Sequence, residues 1–456
     1  MEQLKVLAPL DPAFDPIYRG LQAFTQEAKA AGGNEIRITL ERNDGLTAVH
    51  DMTMLPEGTD DARNIHMAER MVKSMLWVYG GFRVTIAGSQ VIYEGIKAQY
   101  QKGGAREFDA LFMADVYEMP FEVLCAAAKE DAPEHKDSSA PIGRHLDGCR
   151  IGFDAGGSDR KVSAVIDGES VYSEEVVWFP KTTEDPAYHY EGIVSAMKTA
   201  ASHMPRVDAI GVSSAGIYIN NHTMKASLFL KVGEDDFKKY VNDIYIRAAK
   251  EIGDVPLVVS NDGDITALAG AMSLNEDGIL GIAMGTSEAG GYVDIHGNIT
   301  GWLNELAFVP CDLNEGAMVD EWSGDIGCGV KYFSQDGVIK LAPAAGIELD
   351  EGLSPAEKLK IVQTAMMDGH EGARQIYETI GVYLGYTLAF YQMFYDINHV
   401  LLMGRVTSGE GGDLVIAKAK EVLAAEYPEL KMQVNLPDEK SRRVGQSVAA
   451  ASLPKL

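Results

Sequence analysis

Apolar and polar positions alternate in "EIRITLER", residues 35–42, which predicts a strand. The next apolar set, in "DDARNIHMAERMVKSMLWVYGG", recurs at helical spacing behind an acidic first turn and stops at Gly80-Gly81. "FRVTIAG" then reads as a second strand and "SQVIYEGIKAQYQKGG" as a second helix, so the N-terminal third is an α/β unit. Residues 129–143, "KEDAPEHKDSSAPIG", break the pattern as a polar linker or surface excursion with two prolines.

Beyond the linker the strand pattern returns in "RKVSAVID", "ESVYSEEVVWF", "VDAIGVSSAGIYI", "VPLVVSNDGD", "GILGIAMGTSEAGGYVDIHGNI" and "INHVLLMGRVTSGEGG". Helical spacing falls at about 234–252, 264–273, 354–366, 371–395 and 411–426. Hairpins mixed with strand–helix alternation predict α/β architecture with mixed sheets. No internal repeat is visible.

Composition narrows the classes. The chain has 456 residues, 46% hydrophobic and 23% charged, which suits two to four globular domains. A formal net charge of -27 argues against a nucleic-acid partner, which needs a basic face. The one basic doublet of note is Arg442-Arg443. The start of the chain lacks the basic and apolar regions of a signal peptide, and no run is long enough to span a membrane. Cys125, Cys149, Cys311 and Cys328 lie far apart and predict buried free thiols in a reducing cytoplasm.

Two strand–turn–strand hairpins are rich in small residues: "DAGGSDRK", 154–161, and "GTSEAGG", 285–291. Without Cβ atoms in the way, backbone N–H groups in such turns can approach an anion. A plain hairpin turn explains either of them alone. Neither is a P-loop or a dinucleotide fingerprint, because no helix follows directly. Between them, "LVVSNDGDITALAGA" is an apolar strand ending at Asn261-Asp262, with a helix opening at once. A carboxylate at that point is placed to take the proton of an attacking hydroxyl. Helix capping is the competing role, and Asp264 is expected to be a cap. "IAGSQVIYEG", 86–95, is either an anion site at a helix N-terminus or a capped helix.

Taken together these segments resemble the actin, hexokinase and heat-shock protein 70 superfamily, and within it the ROK (repressor, open reading frame, kinase) family of sugar kinases. "IGFDAGGSDRKVSAVID" is similar to the family's first phosphate hairpin and "MGTSEAGGYVDIHG" to its second. "SNDGDITALAGA" resembles its N-D-x-x-A segment, "VDAIGVSSAGIY" the strand that ends in Pro-Gly, and "NHVLLMGRVTSGEGG" the adenosine motif. The resemblance implies a two-lobed actin-like ATPase (ribonuclease H-like) fold for residues 149–456, preceded by a separate α/β unit. The implied domains are 1–145, of unknown role, 146–260 and 261–456. The implied activity is that of a cytoplasmic carbohydrate kinase using ATP and Mg²⁺, with a small carbohydrate as substrate and a homodimer as the expected assembly.

The roles carry over by position. Asp262 would be the general base, with Asn261 and Glu305 holding the sugar. Asp154 would face Mg²⁺ through water. Gly156, Gly157, Ser158 and Lys161 of the first hairpin, Gly285, Thr286, Ser287, Gly290 and Gly291 of the second, and Gly404 beside the adenosine would bind the nucleotide. The chain departs from the family's sugar and zinc region. Phe308 stands where the family has its His, Val330 where it has a second Glu, and the C-x-C pair is missing, so no zinc site is expected. Arg405 replaces a usual glycine. Trp302, Phe308, Asp320, Glu321 and Trp322 would either build a different polyol pocket or pack a loop. A sensor that keeps the fold without catalysis is the competing reading; an early strand and an acidic N-terminal unit speak against DNA binding.

Overall fold

The computed structural model describes residues 3–137, 142–437 and 445–456; Arg442-Arg443 and part of the 129–143 linker lie outside them. The N-terminal unit runs α1 (Ile17–Ala30), β1 (Asn34–Glu41), β2 (Thr47–Met54), α2 (Asp61–Tyr79), β3 (Arg83–Ala87), α3 (Gln90–Tyr100), α4 (Glu107–Tyr117) and β4 (Glu122–Ala126). Its sheet has the order β2-β1-β3-β4, with only the β3–β4 pair parallel. Ser89 caps α3 by accepting from the Ile92 amide at 3.3 Å, so this junction is a capped helix.

A second sheet is built from β5 (Cys149–Ala155), β6 (Asp159–Ile166), β7 (Glu169–Val177), β8 (Ala209–Ser214) and β11 (Leu257–Asn261), in the order β11-β8-β5-β6-β7. All of β5 is buried, as a central strand covered on both faces should be. Between its strands lie α5 (Pro186–Ala201), the short hairpin β9 (Ile217–Ile219) and β10 (His222–Lys225), a single turn α6 (Glu234–Asp236) and α7 (Ile244–Lys250). The helix expected over 234–252 forms as α6 with a π-helical continuation, Phe237–Val241, and as α7, with an interruption at Asn242-Asp243. Asn242 is the cause: its carbonyl accepts from Thr223 N at 2.7 Å and its side chain meets His222 Nδ1 at 3.0 Å, pulling the chain onto β10.

The remainder begins with α8 (Asp262–Leu274), β12 (Ile279–Met284) and β13 (Glu288–Val293). After a long irregular stretch come α9 (Gln335–Leu341), α10 (Pro355–Met367), α11 (Glu371–Tyr391), β14 (His399–Met403), α12 (Glu410–Glu426), β15 (Gln433–Asn435) and α13 (Gln446–Ala451). The sheet order is β13-β12-β14-β15. The last helix returns to the first lobe. Gly152 of β5 and Gly211 of β8 have no Cβ, and one there would collide with the carbonyls of Ser447 and Ala450 in α13.

The N-terminal unit has its own sheet but shares one hydrophobic core with the second lobe, from Phe24 and Trp77 through Leu306, Tyr383 and Val400. A buried ion cluster crosses the same boundary. Asp325 of the second lobe meets Arg70 at 2.9 Å, Lys73 at 3.0 Å and Arg106 at 2.7 Å, while Lys73 also meets Asp109 at 3.2 Å and Arg106 meets Glu69 at 2.7 Å. Burial would raise the Asp325 carboxyl, yet Arg70, Lys73 and Arg106 hold it far below the usual carboxylate range. The first lobe is joined to the N-terminal unit by an ion pair between Lys225 and Asp115. Cys149, Cys311 and Cys328 are buried free thiols, whereas Cys125 is exposed. Among the described residues no helix is long and apolar enough to cross a membrane.

Replacing Asp325 by Ala leaves Arg70, Lys73 and Arg106 with only Glu69 and Asp109 as carboxylate partners, so Asp325→Ala is expected to cost about 3–5 kcal/mol in denaturant unfolding. A loss below about 1 kcal/mol would mean that the cluster relaxes into solvent.

Candidate active site

The first hairpin begins where β5 runs out. Register pairs Asp154 with Lys161 of β6 and with Ser213 of β8. Asp154 is 5% exposed, and its Oδ1 accepts from Ser213 Oγ at 2.8 Å. Burial pushes its carboxyl up to about 6, against the Ser213 hydrogen bond and the Lys161 charge, and with help from the charges of Asp262 and Asp159. The turn itself, Gly156 to Ser158, is clasped by Trp178. The indole N–H donates to Gly156 O at 2.7 Å and the Trp178 amide to Ser158 O at 3.1 Å. Lys161 pairs with Asp159 at 3.4 Å.

The second hairpin turns at Gly285, Thr286 and Ser287. Thr286 and Ser287 are exposed at its tip. Glu288 points the other way, into the core. Among the described residues its Oε2 has no hydrogen-bond partner, Tyr391 reaches Oε1 only at 3.4 Å, and burial pushes the carboxyl up to about 8. Gly290 and Gly291 lie within β13, against the first turn of α8. A Cβ on Gly291 would collide with Gly263 O, and one on Gly290 would stand 2.6 Å from Asn304 O. The missing side chains let β13 and α8 touch backbone to backbone. Gly404 ends β14 with φ 99°, against the end of β12, where the Val406 amide donates to Met284 O at 3.1 Å. Arg405 is exposed beside it, and its carbonyl accepts from Gln363 Nε2 at 2.8 Å.

Between the hairpins, β11 passes directly into α8. Asn261 is the last strand residue and caps the helix: its Oδ1 accepts from Gly263 N at 2.7 Å and its Nδ2 donates to Gly216 O at 2.8 Å. One amide hydrogen remains for a ligand. Asp262 is the first helical residue. Burial raises its carboxyl, opposed by the amides of Gly263 and Asp262 and by the charge of Lys181. Asp264 is not the cap that was expected, because Asn261 already holds that position. It is buried within the helix and accepts from Tyr292 N at 3.1 Å and Asn304 Nδ2 at 2.9 Å, with its carboxyl pushed up to about 7 by burial.

Glu305 comes from the irregular stretch after β13. The last turn of α2 offers unpaired carbonyls, as helix ends do. Trp77 O accepts from the Glu305 amide at 2.9 Å and Val78 O from the Asn304 amide at 3.0 Å. Burial and the charges of Asp262 and Asp264 push the Glu305 carboxyl up to about 7. The charge of Asp262 thus acts on both Asp154 and Glu305.

Of the aromatic and acidic residues in this region, Phe308 and Trp302 pack on rings, whereas Glu321 and Trp322 are exposed. Phe308 stacks on Trp77 with ring centroids 4.2 Å apart, and Trp302 lies on Tyr292 at 5.6 Å. Asp320 accepts from Ser323 N at 2.8 Å, Glu321 pairs with Lys331 at 2.5 Å, and Trp322 is 75% exposed. Among the described residues no three His, Cys, Asp or Glu side chains converge as metal ligands. Ser213, Trp178 and Lys181 had no sequence assignment; only the small polar pair ending "AIGVSS" and the turn "WFPKT" after β7 hint at them.

No family model and no curated protein matches the chain. Solved structures do. A ROK hexokinase from Thermus thermophilus aligns with TM-score 0.52 at 17% identity, over 67% of this chain and 97% of that one. A ROK family glucokinase from Streptomyces griseus, in complex with glucose and AMPPNP, aligns at 0.45 and 19%, over 66% and 98%. A ROK family transcriptional regulator, homologous to the E. coli MLC protein, aligns at 0.49 and 15%, over 68% and 79%. The hexokinase alignment shows the fold, a two-lobed actin-like ATPase architecture, over 67% of this chain.

Glu288 sets a pH dependence. Its carboxyl titrates at 4.5 when unfolded and at about 8 in the fold, so its stabilisation is complete below pH 4.5 and is lost as pH rises through 8. Glu288→Gln is expected to flatten the fall in unfolding free energy across that window by one proton's share, about 1.4 kcal/mol per pH unit. An unchanged slope would show that Glu288 ionises normally.

Proposed function

We propose that the chain transfers a phosphoryl group from ATP to a hydroxyl of a hexose or related small carbohydrate, with Asp262 as general base. The placement of Asp262 carries this reading. It stands at a strand end opening a helix, where α/β sheets present ligands, two strands along the same sheet from the β5 end that carries Asp154.

The residues fit Mg²⁺–ATP. Asp154 offers one carboxylate oxygen to Ser213 and keeps the other without a hydrogen-bond partner among the described residues. A single carboxylate with water and phosphate oxygens is the donor set Mg²⁺ favours. Bound Mg²⁺ would neutralise charge on the transferred group. The turn residues Gly156, Gly157, Ser158, Gly285, Thr286 and Ser287 would hold phosphate through N–H and hydroxyl donors, with Lys161 beside them and Gly404 leaving room for adenosine.

Asp262 would accept the proton of the attacking hydroxyl at its carboxylate, which must be ionised to do so. Its carboxyl sits above the ordinary range, so turnover should fall with decreasing pH at a higher pH than for an exposed aspartate. Glu305 and the free amide hydrogen of Asn261 would orient the carbohydrate. One observation favours a non-catalytic sugar or nucleotide sensor instead: Phe308, packed on Trp77, gives a sugar no hydrogen bond.

ADP release from Mg²⁺–ATP across hexoses, amino sugars and polyols decides between them. The expected result is sugar-dependent turnover, reduced roughly 10²–10⁴-fold by Asp262→Asn. Nucleotide binding without turnover on any sugar would favour the sensor.

A further inference from the structure

Lys181 sits on a turn that the first lobe fixes from several sides. Trp178, three residues before it, is hydrogen-bonded twice to the first hairpin, through Gly156 O and Ser158 O. The Phe179 amide donates to Tyr188 Oη at 3.0 Å, and Thr183 Oγ1 donates to Phe179 O at 2.7 Å. His189, fully buried, faces Pro180 O and Asp185 O with its two ring nitrogens, each at 3.0 Å. The segment is exposed yet tightly held.

The turn lays the lysine across the hairpin tip. A Cβ on Gly157 would stand 2.8 Å from Lys181 Cε and 3.0 Å from Nζ, so the glycine leaves the space that the lysine stem crosses. Three cations lie near this hairpin, and they differ. Lys161 is paired with Asp159. Arg160 lies over the Trp178 ring, 5.9 Å from its centroid. Lys181 makes no ion pair or hydrogen bond among the described residues, and its charge reaches Asp262. An ammonium laid against a phosphate-type turn, with no carboxylate partner among the described residues, is a donor in need of an anion.

Resting on the nucleotide reading above, we propose that Lys181 binds the terminal phosphate of a nucleoside triphosphate seated on the first hairpin, on the side that faces Asp262. That group carries its charge on three equatorial oxygens as it transfers, and an ammonium beside them offsets it. ADP lacks the group, so Lys181 distinguishes triphosphate from diphosphate.

Titration calorimetry with Mg²⁺–AMP-PNP and Mg²⁺–ADP tests this on the full chain. Lys181→Gln removes the charge from an exposed position, and its thermal unfolding is expected to match the parent. The variant is expected to lose about tenfold or more in affinity for AMP-PNP while ADP changes by less than about twofold. Unchanged binding of both nucleotides would overturn the role of Lys181 and leave the kinase reading standing. An equal loss for both would replace terminal-phosphate recognition with general electrostatic attraction, which also overturns it. If the parent protein binds neither nucleotide, the kinase reading falls and this inference falls with it.

Discussion

The carboxyl of Asp264 receives the Tyr292 amide from β13 and the Asn304 side chain from the stretch that carries Glu305. Three elements of the second lobe are thereby fixed around one buried acid. It lies on α8 two residues after Asp262, so the helix that presents the candidate base is locked to the strand and loop beside it. Gly263, Gly290 and Gly291 let those backbones come close enough for the arrangement to close. A buried carboxyl held by two donors is tolerated because its hydrogen bonds replace most of what water supplied.

The same loop is held from behind by the N-terminal unit. The last turn of α2 gives its free carbonyls to Asn304 and Glu305, and the Trp77 ring covers Phe308. The ion cluster around Asp325 anchors the unit a few turns earlier on α2, through Arg70 and Lys73. The unit thus backs the loop that carries Glu305. In the region where the resemblance places zinc, this chain has buried charge pairs and stacked rings.

Much of the local geometry around the two hairpins and α8 was legible in the sequence. Hairpin turns of small residues and an acid at a strand end are local patterns, and they folded where the apolar alternation put them. What the sequence could not show was set by distant contacts. Asp264 looks like a cap because Asp near a helix start usually is one, yet a neighbouring Asn took the cap and tertiary donors took Asp264. The 234–252 helix breaks because β10 competes for the Asn242 backbone. Lys181 follows an ordinary strand in an ordinary turn, and only the fold shows that it crosses Gly157.

The return of α13 to the first lobe has a consequence for how the molecule is made. Ser163 of β6 bonds to Ser447 at 2.7 Å across 284 positions of chain, and β5 and β8 both lie beneath this helix. On a ribosome, the first lobe is synthesised long before the segment that covers it. Its central strands must wait, half covered, until Gln446–Ala451 has emerged. Contacts of such sequence separation form slowly, because the loop they close costs entropy before it returns any stabilisation. Gly152 and Gly211 meanwhile keep the landing surface flat, so the last helix can settle onto strands already formed.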